Sequence, residues 1–286
     1  MNRLAFFLLA ITATPLLLAQ LKQDGSFETD QLMLARATAG DAVAQFQAGV
    51  AYQFGKGAEV DRDSAERWYQ RAAIQGHAGA QFNLAFLYQK DSRDEEAFYW
   101  FKQAAEQGLD VAQLGLSLMY SEGRGVKVDA KQAFNWCSKA AHQGLMDAQY
   151  EMGVAFDRGL VVKRSFQKAV QWWRQAAEQG HVNAQFNLGI SYEYGEGVEP
   201  EPTEAAKWYS RAARQGHPEA QLNLGSMYAN GAGLPRDFVQ AHIWFDLAAQ
   251  QGLDQAVANR EVVAGMMAEA DVERAEQMAL QLVTAN

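Results

Sequence analysis

Between residues 40 and 251 apolar positions recur at i, i+4 and i+8 in short runs separated by glycine-bearing breaks. Ala184, Leu188 and Tyr192 form one run, and Ala220, Leu224 and Tyr228 repeat it 36 residues later. Such spacing lines up apolar side chains on one helix face. The breaks carry Gly55 and Gly57, Gly123 and Gly125, Gly195 and Gly197, and Gly231 and Gly233, where glycine lets the chain leave a helix and reverse. A second run follows, an alanine, then a tryptophan, then an alanine pair, as in Ala169, Trp172, Ala176 and Ala177. Small and large side chains at helical spacing make an interlocking face. Gln-Gly closes that run at the usual helix stop. The pattern predicts an all-α chain with two helices per period.

Three markers share the period. Trp68, Trp100, Trp136, Trp172, Trp208 and Trp244 are spaced by 32 residues once and by 36 thereafter. Ala-Gln starts at Ala44, Ala80, Ala112, Ala148, Ala184 and Ala220, and Gln-Gly starts at Gln75, Gln107, Gln143, Gln179, Gln215 and Gln251, in the same phase. They define six repeats, 40–75, 76–107, 108–143, 144–179, 180–215 and 216–251. The 212 residues of this array, five repeats of 36 and one of 32, leave no room for a second large domain. The short second repeat has lost its turn: Tyr88 to Ala97 is nine residues, against thirteen from Tyr52 to Ala65. Terminal repeats need polar outer faces. Accordingly, 20–39 reads as a linker and capping helix, and 252–286 as two capping helices near 254–268 and 271–284.

Two recurring slots carry local expectations. Asp61, Asp129, Ser165 and Asp237 precede the second helix as N-caps, and Asp129 with Gln132 and Asp237 with Gln240 have capping-box spacing. Glu201 holds the slot before Pro202, an allowed first-turn proline. Gly49, Ala85, Ser117, Gly153, Gly189 and Gly225 follow the central apolar residue of the first helix. Glycine inside a helix costs about 1 kcal/mol relative to alanine, so its recurrence implies a close approach by a neighbouring helix.

Paired helices of this length with Ala-Gln-x-x-Leu-Gly-x-x-Tyr, a Gly-x-Gly-Val turn and Ala-x-x-Trp-x-x-x-Ala-Ala resemble the SEL-one-like repeat, a relative of the tetratricopeptide repeat. The fifth repeat matches best, with Ala184, Gln185, Leu188, Gly189, Tyr192, Gly195, Gly197, Val198, Ala205, Trp208, Tyr209, Ala212 and Ala213. The second repeat departs by its missing turn, and the fourth by Leu160 and Val161 in place of the second glycine. The resemblance implies a right-handed α/α solenoid of six helix-turn-helix repeats, TPR-like, with the first helices lining a concave docking face.

Composition and charge narrow the partner. Hydrophobic residues make up 49% of the 286, enough for a packed core, and the net charge of −9 disfavours nucleic acid and anionic membranes. Residues 1–19 have a basic start at Arg3, an apolar stretch and Ala19 before Gln20, the anatomy of a secretory signal peptide. They imply export to a bacterial periplasm or the outside, with no membrane span in the mature chain. Cys137 stands alone, so no intramolecular disulfide and no cysteine-rich zinc site forms. It shares a slot with Tyr69, Phe101, Trp173, Tyr209 and Phe245, which favours a buried, inert thiol over pairing between chains.

Catalytic chemistry is scarce. Ser165 and Lys168 match the Ser-x-x-Lys element of serine β-lactamases, and some secreted, cysteine-rich members of the resembled family are described as such. Ser165 nonetheless sits in the capping slot, and no Lys-Thr-Gly or Ser-Asp-Asn partner exists. His77, His181 and His217 share a slot with Leu109, Leu145 and Leu253, which marks a packing position. The tryptophans, each between small residues at helical spacing, read as core. No cofactor and no metal is implied. Function is then expected on three first-helix columns. The first is Phe46, Phe82, Leu114, Tyr150, Phe186 and Leu222, the second Val50, Phe86, Leu118, Val154, Ile190 and Ser226, and the third Gln53, Gln89, Ser121, Asp157, Glu193 and Ala229. The first two columns are open to a second reading, as packing between adjacent repeats. The leading expectation is an exported, non-catalytic adaptor for another protein or an extended peptide. A β-lactamase-like or cell-wall-directed hydrolase, and a structural subunit of an envelope assembly, are the alternatives.

Overall fold

The computed structural model describes residues 30–56 and 58–284, so the segment read as a signal peptide and Gly57 lie outside the described residues. Fifteen helices follow one another with no strand among the described residues: α1 (Asp30–Thr38), α2 (Ala42–Phe54), α3 (Arg62–Ile74), α4 (Ala78–Lys90), α5 (Asp94–Glu106), α6 (Asp110–Glu122), α7 (Ala130–His142), α8 (Met146–Arg158), α9 (Phe166–Glu178), α10 (Val182–Tyr194), α11 (Pro202–Arg214), α12 (Pro218–Asn230), α13 (Phe238–Gln250), α14 (Asp254–Ala264) and α15 (Glu269–Thr284). The helices form two compact units, one ending at Asp129 and the other starting at Ala130. That boundary falls between the two helices of the third repeat rather than between repeats. Within each unit, helices consecutive in the chain pack on one another as far as α14, and α15 packs back on α13.

The four first helices that carry glycine in this slot, at Gly49, Gly153, Gly189 and Gly225, present it to an aromatic ring from the second helix of the same repeat. A Cβ placed on Gly49 would lie 2.5 Å from the Tyr69 ring, one on Gly153 2.3 Å from Trp173, and one on Gly189 2.4 Å from Tyr209. The close approach expected from the recurring glycine is therefore made by a side chain. It also moves the centre of the core. Tyr69 and Tyr209 are fully buried, and Phe101, Cys137, Trp173 and Phe245 in the same slot are buried too. The periodic tryptophans one residue earlier sit further out: Trp208 and Trp244 are buried, whereas Trp68, Trp100, Trp136 and Trp172 are half-buried. A one-residue step turns a helix by about 100°, away from the glycine-lined surface. Cations cover several of these outer rings at i+3, with Arg71 4.7 Å from the centre of Trp68, Lys139 3.7 Å from Trp136 and Arg211 4.5 Å from Trp208.

Three of the expected caps form. Asp61, Ser165 and Asp237 accept from the backbone N–H of Ser64, Lys168 and Gln240. Arg93 and Glu201 in that slot make no side-chain cap. The missing turn of the second repeat becomes a three-residue link from Lys90 to Asp94, in which Ser92 takes φ of 58°. At the end of α11, the His217 N–H donates to the Ala212 carbonyl (3.1 Å) and the Gly216 N–H to that of Ala213 (3.0 Å), the Schellman pattern.

Candidate functional site

Both glutamine markers enter one hydrogen-bond ladder. The buried glutamine of each Ala-Gln reaches back to the helix before its own. Gln45 Nε2 donates to the Ala37 carbonyl (3.1 Å), Gln81 to Ala73 (3.1 Å), Gln185 to Ala177 (3.1 Å) and Gln221 to Ala213 (3.1 Å). The Gln-Gly glutamine of the same repeat donates to its Oε1, from Gln75 to Gln45 at 2.7 Å, from Gln179 to Gln149 at 2.7 Å and from Gln215 to Gln185 at 2.8 Å. These carbonyls also accept from the glycine N–H that follows, Gly180 to Ala177 and Gly216 to Ala213 at 3.0 Å, so the ladder fills their second acceptor position and ties repeat to repeat. Gln185→Leu keeps the volume and removes both bonds. It should cost about 1–3 kcal/mol, the loss of two hydrogen bonds at about 0.5–1.5 kcal/mol each, while the Ala177 carbonyl keeps the Gly180 N–H. Urea unfolding measures it, and an unchanged midpoint would make the ladder incidental.

The shared histidine slot does more than pack. Nδ1 of His77, His181 and His217 accepts from the backbone N–H of Ala80, Ala184 and Ala220 at 3.1, 3.1 and 3.3 Å, capping α4, α10 and α12. Each ring also stacks on the first-column aromatic of the preceding repeat: Phe46 at 4.5 Å, Tyr150 at 4.3 Å and Phe186 at 4.4 Å. Leucine fills the slot elsewhere and makes no cap. The cap was legible only as a position before Ala-Gln.

Burial pulls all three imidazoles below their ordinary range, against the opposing pull of Asp147 on His181 and of Glu219 on His217. The folded chain therefore holds them neutral, with Nδ1 free to accept. As pH falls through about 6.5 the unfolded chain takes up these protons first, so stability is complete above that pH and is lost below it. Chemical melts of the wild type should weaken from about pH 7.5 to about pH 5.5, across the ordinary histidine pKa. The triple variant His77→Leu, His181→Leu, His217→Leu should flatten that dependence, and an unaltered slope would assign it to other groups.

The expected surface residues divide by depth. Phe82 (2% exposed) and Phe46 (8% exposed) are buried, so these two offer little to a partner, while Tyr150 and Phe186 remain half-buried beneath their histidines. Gln53 Oε1 accepts from Tyr69 Oη (2.6 Å), and Glu193 Oε2 from Tyr209 Oη (2.6 Å). Gln89 is half-buried on α4, with its carbonyl accepting from Arg124 (3.2 Å). The carbonyl of half-buried Asp157 accepts from Arg164 Nε at 2.7 Å. The structure thus keeps Tyr150, Asp157, Phe186 and Glu193 accessible in one unit, and Gln53 and Gln89 in the other. The sequence reading passed over Glu151, half-buried on α8, whose carboxyl burial pushes up to about 7 against the opposing pull of Arg158. Its only sequence signal is a charge at a position that is asparagine in other repeats.

Residues with catalytic candidacy are structurally occupied. Ser165 Oγ accepts from the Lys168 backbone N–H (3.4 Å), and the Lys168 ammonium lies 5.1 Å from the centre of the Phe156 ring. The Cys137 thiol donates to the Ala148 carbonyl (3.5 Å), and burial pushes its pKa up, as does Glu151. Among the described residues no group of three His, Cys, Asp or Glu side chains could hold a metal ion, and no helix is long and apolar enough to cross a membrane.

The Sel1 repeat profile matches residues 42–77, 78–109, 110–145, 147–181, 182–217 and 218–253, each within three residues of a helix pair. The chain belongs to the Sel1 repeat family. Proteins of Sel1 repeats are α/α solenoids, and in general they are scaffolds for protein–protein interaction and not catalysts. Among solved structures, the chain is similar to c5321, a protective antigen of uropathogenic Escherichia coli displaying an SLR fold, at 33% identity and a TM-score of 0.80. The match covers 89% of this chain and 56% of the antigen, so the chain spans little more than half of its length. A Sel1 repeat protein from Oxalobacter formigenes is 35% identical with a TM-score of 0.72, over 80% of this chain and 67% of that one. No curated protein matches the chain.

Proposed function

We propose that this Sel1 repeat protein is an exported adaptor, periplasmic or secreted, that holds another protein or an extended peptide on its first-helix faces. The observation that carries this reading is how the side chains are used. Ser165, Cys137 and the slot histidines are taken up in caps and buried hydrogen bonds, whereas Tyr150, Asp157, Phe186 and Glu193 stay accessible on first helices. A surface of half-buried aromatic and polar side chains on rigid helices suits docking, since little conformational freedom is lost on binding. Export is supported by the sequence of residues 1–19 and is in keeping with the similarity to a protective antigen.

A photo-reactive residue placed at Tyr194 on α10, and in a second variant at Gln171 on α9, tests the reading in intact cells. A defined protein crosslinked from Tyr194 and not from Gln171 is the expected result, together with a mature chain recovered outside the cytoplasm that begins at Gln20. No adduct from Tyr194, or an intact amino terminus in the cytoplasm, would defeat it.

A further inference from the structure

We propose that the first-helix face of the second unit docks a segment of the partner that carries lysine or arginine. This rests on the adaptor reading and names the chemistry of the partner at that face. On α8, α10 and α12 the face has a half-buried apolar floor, Tyr150, Val154, Phe186, Ile190 and Leu222, and the 68% exposed Tyr194 beside it. Exposed tyrosine next to an apolar floor is the composition of a docking anchor. Glu151, Asp157 and Glu193 lie on the same helices as the floor, and Arg158 is the cation there.

The fold does not require two of these charges. Glu193 accepts the Tyr209 hydroxyl at 2.6 Å, but in the first repeat Gln53 accepts the Tyr69 hydroxyl at the same distance. An acceptor is needed there, and a neutral amide supplies it. The position of Glu151 is held by Asn83, Asn187 and Asn223 in other repeats, so an amide also suffices there. Among the described residues no cation lies within ion-pair distance of Glu151 or Glu193. Half-burying an unpaired carboxylate costs stability, and burial accordingly pushes the Glu151 carboxyl up to about 7. Neither carboxylate therefore has a full counter-charge within the chain. A cationic side chain laid across the apolar floor supplies it and gains affinity and on-rate. A second copy of the chain is the wrong occupant, since a net charge of −9 opposes itself.

Fluorescence anisotropy of the purified chain tests the inference with three synthetic peptides of equal length and apolar content, bearing lysine, glutamine or glutamate at alternate positions. The lysine peptide is expected to bind at least about tenfold more tightly than the others, and E151Q/E193Q to remove about tenfold of that affinity, which is roughly 1.4 kcal/mol. E178Q, an exposed carboxylate on α9, should leave it unchanged. Equal binding of the lysine and glutamine peptides, or an equal loss in E178Q, would overturn the proposal. The photo-adduct at Tyr194 separates the two readings. A neutral or acidic partner segment there overturns this inference and leaves the adaptor standing, while no adduct overturns both.

Discussion

Tyr209→Ala is expected to lower folding stability by about 4 kcal/mol, near the middle of the range for truncating a buried aromatic ring. Tyr209 is fully buried, and its ring lies where a Cβ on Gly189 would come within 2.4 Å. It also packs 5.9 Å from Phe186, centre to centre, and its hydroxyl donates to Glu193. Removing the ring leaves a void between α10 and α11 that the helices cannot close, because their separation is set by the same slot in neighbouring repeats. Tyr209→Phe keeps the ring and loses one hydrogen bond, so it should cost only about 1 kcal/mol. Trp172→Ala, at the half-buried tryptophan position, should cost less than Tyr209→Ala. Urea melts of the three variants decide the order, and a Trp172 loss larger than that of Tyr209 would return the tryptophan to the centre of the core.

Gly197→Ala should cost about 3 kcal/mol or more, through two separable causes. Gly197 has φ of +80°, which strains an L residue. Its Cβ would also lie 2.4 Å from the carbonyl carbon and 2.5 Å from the oxygen of Phe166, backbone at the start of the preceding repeat's second helix. Backbone cannot swing aside as a side chain can, so the repeats would have to part. Gly216→Ala isolates the first cause: φ there is +88° and nothing lies within 4 Å of the added Cβ. That variant should lose only about 1–2 kcal/mol, the cost of a left-handed conformation. Equal losses in the two would remove the steric argument. The contact recurs, with Gly233 against Pro202 and Gly125 against Asp94. In the fourth repeat the position is Val161, which is 40% exposed.

The repeat phase could be read directly because each helix pair is local: caps, periodic apolar runs and stop glycines specify their own helices whatever surrounds them. The roles of the markers were less accessible. Gln185 and Gln215 are 30 residues apart, and only packing brings their amides to 2.8 Å. The slot of His181 reads as interchangeable with leucine, since sequence cannot show that Nδ1 finds the Ala184 N–H while the ring finds Tyr150. Glu151 escaped notice because its meaning is a contrast between an amide that satisfies the fold and a charge that the interior leaves unpaired.

By itself the sequence determined the class of fold, the helices of all six repeats and the Sel1 resemblance, because 3.6-residue periodicity and capping act over a few residues. The tertiary structure alone decided which member of each adjacent pair is the deeper: Tyr209 inside Trp208, and Trp173 inside Trp172. Both residues of a pair suit an apolar face, and only the neighbouring helix, with its glycine positioned to receive a ring, selects between them.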